Sequence, residues 1–246
     1  MTPTRSAAGG PGAGESPQAA ASTEARSAIT IALPKGRTLG PVSALLARAG
    51  LTGEGEATLA SALDETSRAL VRRARLGVHP VSLFLLKPDD VPTYVEYGTA
   101  DLGVCGRDVL VERDLDAYHP IDLGIGRCRL VVAGRVGETL TTATARMPRI
   151  ATKYPRTAAR HFARRGVQVE IVNVQSSVEL APLTGLADLI VDLVETGATL
   201  AQNGLEVKEE ILAVSTLLVA NRASYKLRAE PIGALVRSLR SALQAP

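Results

Sequence analysis

Tryptophan is absent from the 246-residue sequence and aromatic residues make up only 3% of it, so no row of stacking rings is available to unpaired bases. Only Cys105 and Cys128 occur, with no CxxC spacing and no His pair nearby. That excludes a disulfide scaffold, gives no signature of a protein-held metal, and points to a reducing cytoplasm. No apolar run reaches the roughly 18 residues that a membrane helix needs, and the N-terminal region has no signal-peptide core. An excess of one charge is missing too. The 28 Lys and Arg against 25 Asp and Glu leave +3, scattered in pairs such as Arg72-Arg73 and Arg164-Arg165. Neither nucleic acid nor a membrane is the expected partner; a modest positive balance suits a cleft for small anions.

Hydrophobic residues reach 46% and charged residues 22%, enough for a full core in one large or two small domains. Residues 1–27, rich in Ala, Gly, Ser, Thr and Pro, bury too little to offset ordering entropy and read as a disordered tail. A transit peptide is the rival reading, which Glu15 and Glu24 against only Arg5 and Arg26 fit poorly. From Ile29 on, short apolar runs alternate with helical patterns, the mark of βαβ units around mainly parallel sheets. Strands are predicted at 29–33, 81–86, 101–105, 129–133, 167–173, 187–192, 207–214 and 216–220. Leu39, Val42, Leu45 and Leu46 repeat at helical spacing before Gly50. Further helices are expected after Lys87-Pro88, capped by Asp89 and Asp90, over 156–165 and over 232–243. The Gly-, Thr- and Ala-rich stretch 136–148 reads as a junction between two lobes.

Three turns can carry chemistry. Lys35 and Arg37 follow the first strand, and open α/β sheets bind ligands beyond the strands' carboxyl ends; the plain alternative is a turn with two solvated cations. The segment Asp192-Leu193-Val194-Glu195-Thr196-Gly197-Ala198-Thr199-Leu200 follows an apolar strand. Its small and hydroxylic residues can converge backbone N–H and hydroxyl groups on a phosphate. Asp192 and Glu195 add carboxylates for a sugar diol or a hydrated Mg²⁺. The alternative is an acidic turn capped by Thr199. In Asp101-Leu102-Gly103-Val104-Cys105-Gly106-Arg107-Asp108, a strand ending in a Gly turn before a helix, the glycines allow close approach of a flat base or, equally, tight packing. Asp122-Leu123-Gly124-Ile125-Gly126-Arg127-Cys128 lacks the third glycine of a dinucleotide fingerprint, so a Rossmann reading is rejected. His79, His119 and His161 are dispersed and read as surface or core residues, Arg68 as a solvated helix charge, and Cys105 as a small buried hydrophobe.

Taken together, Ala32-Leu33-Pro34-Lys35-Gly36-Arg37, the run from Pro88 to Glu96, Ala100 to Val104, Ala151-Thr152-Lys153-Tyr154, Glu179 to Leu183 and Asp192 to Leu200 resemble the ATP phosphoribosyltransferase catalytic subunits in order and spacing, from Ile29 to the C-terminus. The resemblance implies an α/β fold of two lobes of the periplasmic-binding-protein type II kind with the site between them. Lobe I is expected at 28–130 plus 206–246 and lobe II, carrying the phosphoribosyl pyrophosphate loop, at 131–205. It implies the short form, in which a histidyl-tRNA-synthetase-like regulatory subunit joins a hetero-oligomer and catalytic chains form a homodimer. The implied reaction joins phosphoribosyl pyrophosphate to N1 of ATP, with Mg²⁺ carried by the substrates. By the same resemblance Lys35, Arg37 and Arg68 are the catalytic cations. Asp192, Glu195, Thr196, Gly197, Ala198, Thr199 and Leu200 hold phosphoribosyl pyrophosphate, and Asp101, Gly103, Cys105, Asp122 and Arg127 lie against ATP. Solute capture, which the same fold serves, is the rival class; the cations beside a phosphate cradle argue against it.

Overall fold

The computed structural model describes residues 28–55, 58–64, 66, 69–138 and 147–244. The tail at 1–27, Arg68 and most of the expected junction, 139–146, lie outside the described residues.

The chain forms two mixed sheets. The first contains β1 (Ile29–Pro34), β2 (Leu51–Gly53), β3 (Val71–Leu76), β4 (His79–Leu86), β5 (Leu102–Gly106), β6 (Tyr118–Asp122) and β12 (Thr216–Ala220), in the order β2-β3-β4-β1-β5-β12-β6. The second contains β7 (Cys128–Arg135), β8 (Arg149–Thr152), β9 (Glu170–Asn173), β10 (Leu189–Val194) and β11 (Leu205–Val214), in the order β11-β7-β10-β8-β9. Parallel pairing is confined to β4-β1-β5 and β10-β8-β9; the flanking strands are antiparallel, so the expectation of mainly parallel sheets needs correction. The reason is connection length. Gly77-Val78 joins β3 to β4 as a hairpin, and a turn that short cannot make a parallel crossover.

Helices are α1 (Leu39–Arg48), α2 (Leu59–Ala62), α3 (Val91–Glu96), α4 (Arg107–Arg113), α5 (Pro155–Arg164), α6 (Leu180–Thr184), α7 (Ala198–Gln202), α8 (Arg222–Leu227) and α9 (Ala229–Gln244). A 3₁₀ turn at Pro88–Asp90 leads into α3, and Asp90 stands at its N-cap without the side-chain hydrogen bond expected of it. Both sheets are covered on both faces. Ile31 and Leu33 of β1 pack toward α1 and α9 through Val42, Leu46, Ile232 and Leu235, whereas Ala32 joins Val91 and Val95 of α3 on the other face. In β7 the same alternation sends Val131 and Ala133 toward α6 and α7, and Leu130 and Val132 toward Phe162 of α5.

The chain crosses between the sheets at Leu123–Arg127 and at Ser215. These crossings displace the expected boundaries at 130 and 205: β7 and β11 pair with each other in the second sheet. The stretch 136–148 is not the junction, because its described ends connect β7 to β8 within that same sheet.

At the end of the first sheet remote from the crossings, Asp101 is 5% exposed. It accepts hydrogen bonds from the Thr30 backbone N–H (2.8 Å) and hydroxyl (2.9 Å), and it pairs with Arg228 at 3.4 Å. Arg228 also donates to the Ala28 carbonyl at 2.6 Å, so this network ties the start of α9 to β1 and β5. Asp101→Ala leaves these donors facing an apolar methyl. Stability is expected to fall by about 3 kcal/mol, roughly 6–12 °C in calorimetric Tm; a shift under about 2 °C contradicts the assignment.

Candidate active site

The carboxyl ends of β1 and β10 face one cleft between the lobes. From the first sheet, the turn after Pro34 carries Lys35 and Arg37; from the second, β10 runs into the loop ending at α7. A cavity of about 330 Å³ is lined by Arg37, Glu179 and every residue from Asp192 to Leu200. A second, about 220 Å³, shares Arg37, Cys128 and Leu193 with it and adds Lys35, Cys105, Asp108 and Lys153. Arg37 therefore stands at the seam of both. Beyond Lys153 lies a third, of about 500 Å³, bordered by Asp89, Thr93, Arg113, Asn173 and Gln175.

The loop's shape follows from Gly197. Its φ of +83° places it in the left-handed region at the N-cap of α7, where a side chain is strained. The helix starting there leaves its first backbone N–H groups without intrahelical acceptors, facing the cavity that the loop lines. Thr196 Oγ1 accepts the Ala198 N–H at 3.4 Å. Leu200 turns its side chain into the second lobe's core, so what it offers a ligand is backbone. Gly197, not Thr199, occupies the cap position.

Asp192 is partly buried. Burial pushes its carboxyl above the ordinary carboxylate range, opposed by the Leu193 N–H that it accepts at 2.8 Å and by the Lys153 charge, while Glu179 adds to the rise. Cys128, half-buried at the seam, has its thiol raised by burial and by Asp108. Burial also raises Cys105, which is 1% exposed, in line with an inert apolar role.

The expected ATP residues divide. Asp101 and Gly103 do not reach the cleft: they stand at the start of β5, whereas its other end, Gly106, lines the second cavity. Asp101 is engaged in the Thr30–Arg228 network. A Cβ on Gly103 would lie 2.6 Å from Val95 Cγ2 and 2.8 Å from Val91 Cγ1, so this glycine serves the packing of α3 on β5. Cys105 does border the cleft. Asp122 and Arg127 flank a crossing. Burial tends to raise the Asp122 carboxyl, but hydrogen bonds from Ser215 Oγ (2.6 Å) and the Gly124 N–H (2.9 Å), with Arg107 and Arg127 nearby, hold it below its usual value. Asp122 thus ties one crossing to the other. No helix follows Gly126, as the rejection of a dinucleotide fingerprint requires.

Sequence reasoning gave no role to Lys153, Glu179, Asp108 or Ser215, all of which line the cleft. Lys153 and Glu179 lie within the stretches that carried the family resemblance, and that was the available signal. Asp108 closes the Gly-turn stretch that begins at Asp101 and had no signal of its own.

The family model described as HisG: ATP phosphoribosyltransferase matches residues 87–241. An ATP phosphoribosyltransferase of Sorangium cellulosum is 56% identical over 214 residues, covering 87% of this chain and 95% of the relative. The chain belongs to the ATP phosphoribosyltransferase family. A Methylococcus capsulatus family member is 47% identical over 212 residues, 86% of this chain and 94% of the relative. Among solved structures, the ATP phosphoribosyl transferase (HisG:HisZ) complex from Thermotoga maritima matches with a TM-score of 0.75 and 34% identity, covering 88% of this chain and 98% of that one. The periplasmic aliphatic sulphonate binding protein SsuA from Escherichia coli, at TM-score 0.54 and 14% identity over 88% of this chain and 72% of that one, shares the two-lobed fold alone. Family membership makes the chain a pentosyltransferase of the first step of histidine biosynthesis, with the two-lobed architecture expected of it.

The raised carboxyl of Asp192 has a signed consequence. Its folded-state pKa lies above the model-compound value of 3.8. Ionisation is therefore easier in the unfolded chain, and stability falls as pH rises from about 4 through the raised pKa. Asp192→Asn removes that penalty. At neutral pH its Tm should equal or exceed the parent's while activity drops, and the stability gain should vanish near pH 4; calorimetry at both pH values checks the sign, and a Tm gain confined to acid contradicts it.

Proposed function

We propose that phosphoribosyl pyrophosphate lies across the cleft, its 5-phosphate and ribose in the Asp192–Leu200 loop and its pyrophosphate toward Lys35 and Arg37. The observation that carries this reading is the single cavity bounded by Arg37 of one lobe and the whole loop of the other. A phosphate fits the α7 start. The carboxylates of Asp192 and Glu195 suit the ribose hydroxyls or the water shell of Mg²⁺, which enters with the polyphosphates as part of the substrate. ATP then takes the first-lobe side, near Cys105 and the crossing that bears Asp122 and Arg127. Arg68 joins Lys35 and Arg37 as a third cation.

In the reaction N1 of adenine attacks C1 of the ribose, the bond from C1 to pyrophosphate breaks, and the anomeric centre inverts. Positive charge grows on the sugar and negative charge on the leaving group, so no protein nucleophile is needed. The site's task is to align two anions and to stabilise departing pyrophosphate with Lys35, Arg37 and Arg68. Asp192 faces the developing sugar cation. A histidyl-tRNA-synthetase-like regulatory subunit completes a hetero-oligomer, a reading supported by the HisG:HisZ composition of the Thermotoga maritima complex; the catalytic chains pair, and the assembly works in the cytoplasm.

Formation of the N1-phosphoribosyl-ATP chromophore from ATP, phosphoribosyl pyrophosphate and Mg²⁺ tests this directly, with the purified chain alone and with a candidate regulatory subunit. Activity is expected and should rise with the subunit. Lys35→Met and Arg37→Met should each lower kcat/KM by about 10²-fold or more. Arg68→Ala should lower turnover more than it weakens ATP binding; unchanged turnover with a raised ATP KM contradicts its role at the leaving group.

A further inference from the structure

Besides the two covalent crossings, a polar seam between α4 and α5 joins the lobes among the described residues. Tyr154 Oη donates to Asp108 Oδ2 at 2.7 Å in a buried hydrogen bond. Next to it, Glu112 accepts from the backbone N–H groups of Arg156 and Thr157 (2.9 Å each) and from the Thr157 hydroxyl (2.7 Å). Arg160 donates to the Val111 carbonyl at 2.6 Å. Asp108 and Tyr154 are 6% and 3% exposed. A buried carboxylate is costly unless its partners are in place, so this contact is met by a structure built around it. Gly106 is part of that arrangement: a Cβ there would fall 2.1 Å from Asp108 Oδ1, displacing the carboxylate.

We propose that Asp108 and Tyr154 are a positioning pair for phosphoribosyl transfer, their hydrogen bond holding the loop-bearing lobe at the separation from Lys35 and Arg37 that in-line attack requires. The pair is linked to both halves of the site. On the first lobe Asp108 lines the cavity that also contains Lys35 and Arg37. On the second, the Tyr154 N–H donates to Thr152 Oγ1 at 2.9 Å, and that hydroxyl donates to the Val191 carbonyl at 2.6 Å, one residue before Asp192. Three buried hydrogen bonds thus join the cation-bearing wall to the strand that presents the loop. Neither group needs to touch substrate. Burial and the Asp108 charge push the Tyr154 phenol far up, so it stays a donor throughout the working pH range.

Because the placement rests on the cleft being the transferase site, the parental chain is assayed first. Absence of product there rejects the functional reading and the pair's role with it. Given an active parent, Tyr154→Phe should lower kcat by about tenfold or more, with the KM values for ATP and phosphoribosyl pyrophosphate within about twofold, since misplacement by a fraction of an ångström penalises the transition state and spares ground-state binding. The pH profile of kcat should keep its shape. Asp108→Asn still accepts the phenolic hydrogen bond through its amide oxygen and should retain most of the parental rate. Unchanged kcat in Tyr154→Phe, a loss confined to KM, or an Asp108→Asn loss equal to that of Tyr154→Phe overturns the proposal; the last would assign the effect to charge. If Tyr154→Phe does not fold, Glu112→Ala loosens the same seam from its more accessible side: a lower kcat at unchanged KM supports the pair and an unchanged kcat overturns it.

Discussion

Among the described residues the chain passes between its sheets twice, and the cleft depends on those crossings keeping the carboxyl ends of β1 and β10 opposed. A parallel strand delivers its following loop at its carboxyl end. When two sheets turn those ends toward one another, the loops share a cleft without either lobe having to build a whole site. The hydrogen bond from Ser215 to Asp122 joins the crossings at 2.6 Å, so they act as one support. The α4–α5 seam supplies the second point of contact, and two separated supports fix an angle that a single hinge leaves free.

Held this way, the lobes divide the electrostatic work. The first lobe brings Lys35 and Arg37; the second brings a glycine-shaped turn, backbone N–H groups and the carboxylates of Asp192 and Glu195. Opposed charge and hydrogen-bond donors in a partly enclosed space suit a substrate that is itself a string of anions around a sugar. The half-buried Asp192 carboxyl is unfavourable for folding by itself. Such a local violation is of the kind found at functional sites, in keeping with the role proposed for Asp192.

Two of the three Asp residues expected in binding roles, Asp101 and Asp192, illustrate what the sequence could and could not separate. Both adjoin apolar strands and both are followed by glycine within a few residues. Asp192 lies in the carboxyl-terminal half of its strand and lines the cleft; Asp101 lies before the opening residue of its strand and serves the Thr30–Arg228 network. The predicted strands at 101–105 and 187–192 already put these residues at opposite strand ends; the ATP role of Asp101 came from the family resemblance, and its partners Thr30 and Arg228 are remote in sequence. β3 and β6 were missed for other reasons. β3 buries only Ala74 and Leu76 among its arginines, and β6 contains Pro120, tolerated because that strand forms the sheet edge.

The sequence by itself determined the α/β class, the helices over Leu39–Arg48 and Pro155–Arg164 within a residue or so, and the family, because each is written in contiguous residues whose period, turn chemistry and order are local properties. Only the tertiary structure decided where the chain changes lobes, that Asp101 and Gly103 belong to packing, and that Asp108 meets Tyr154 across 46 positions of chain. Those contacts arise when two sheets are brought together, and the burial that makes them strong or costly exists only after the intervening chain has folded.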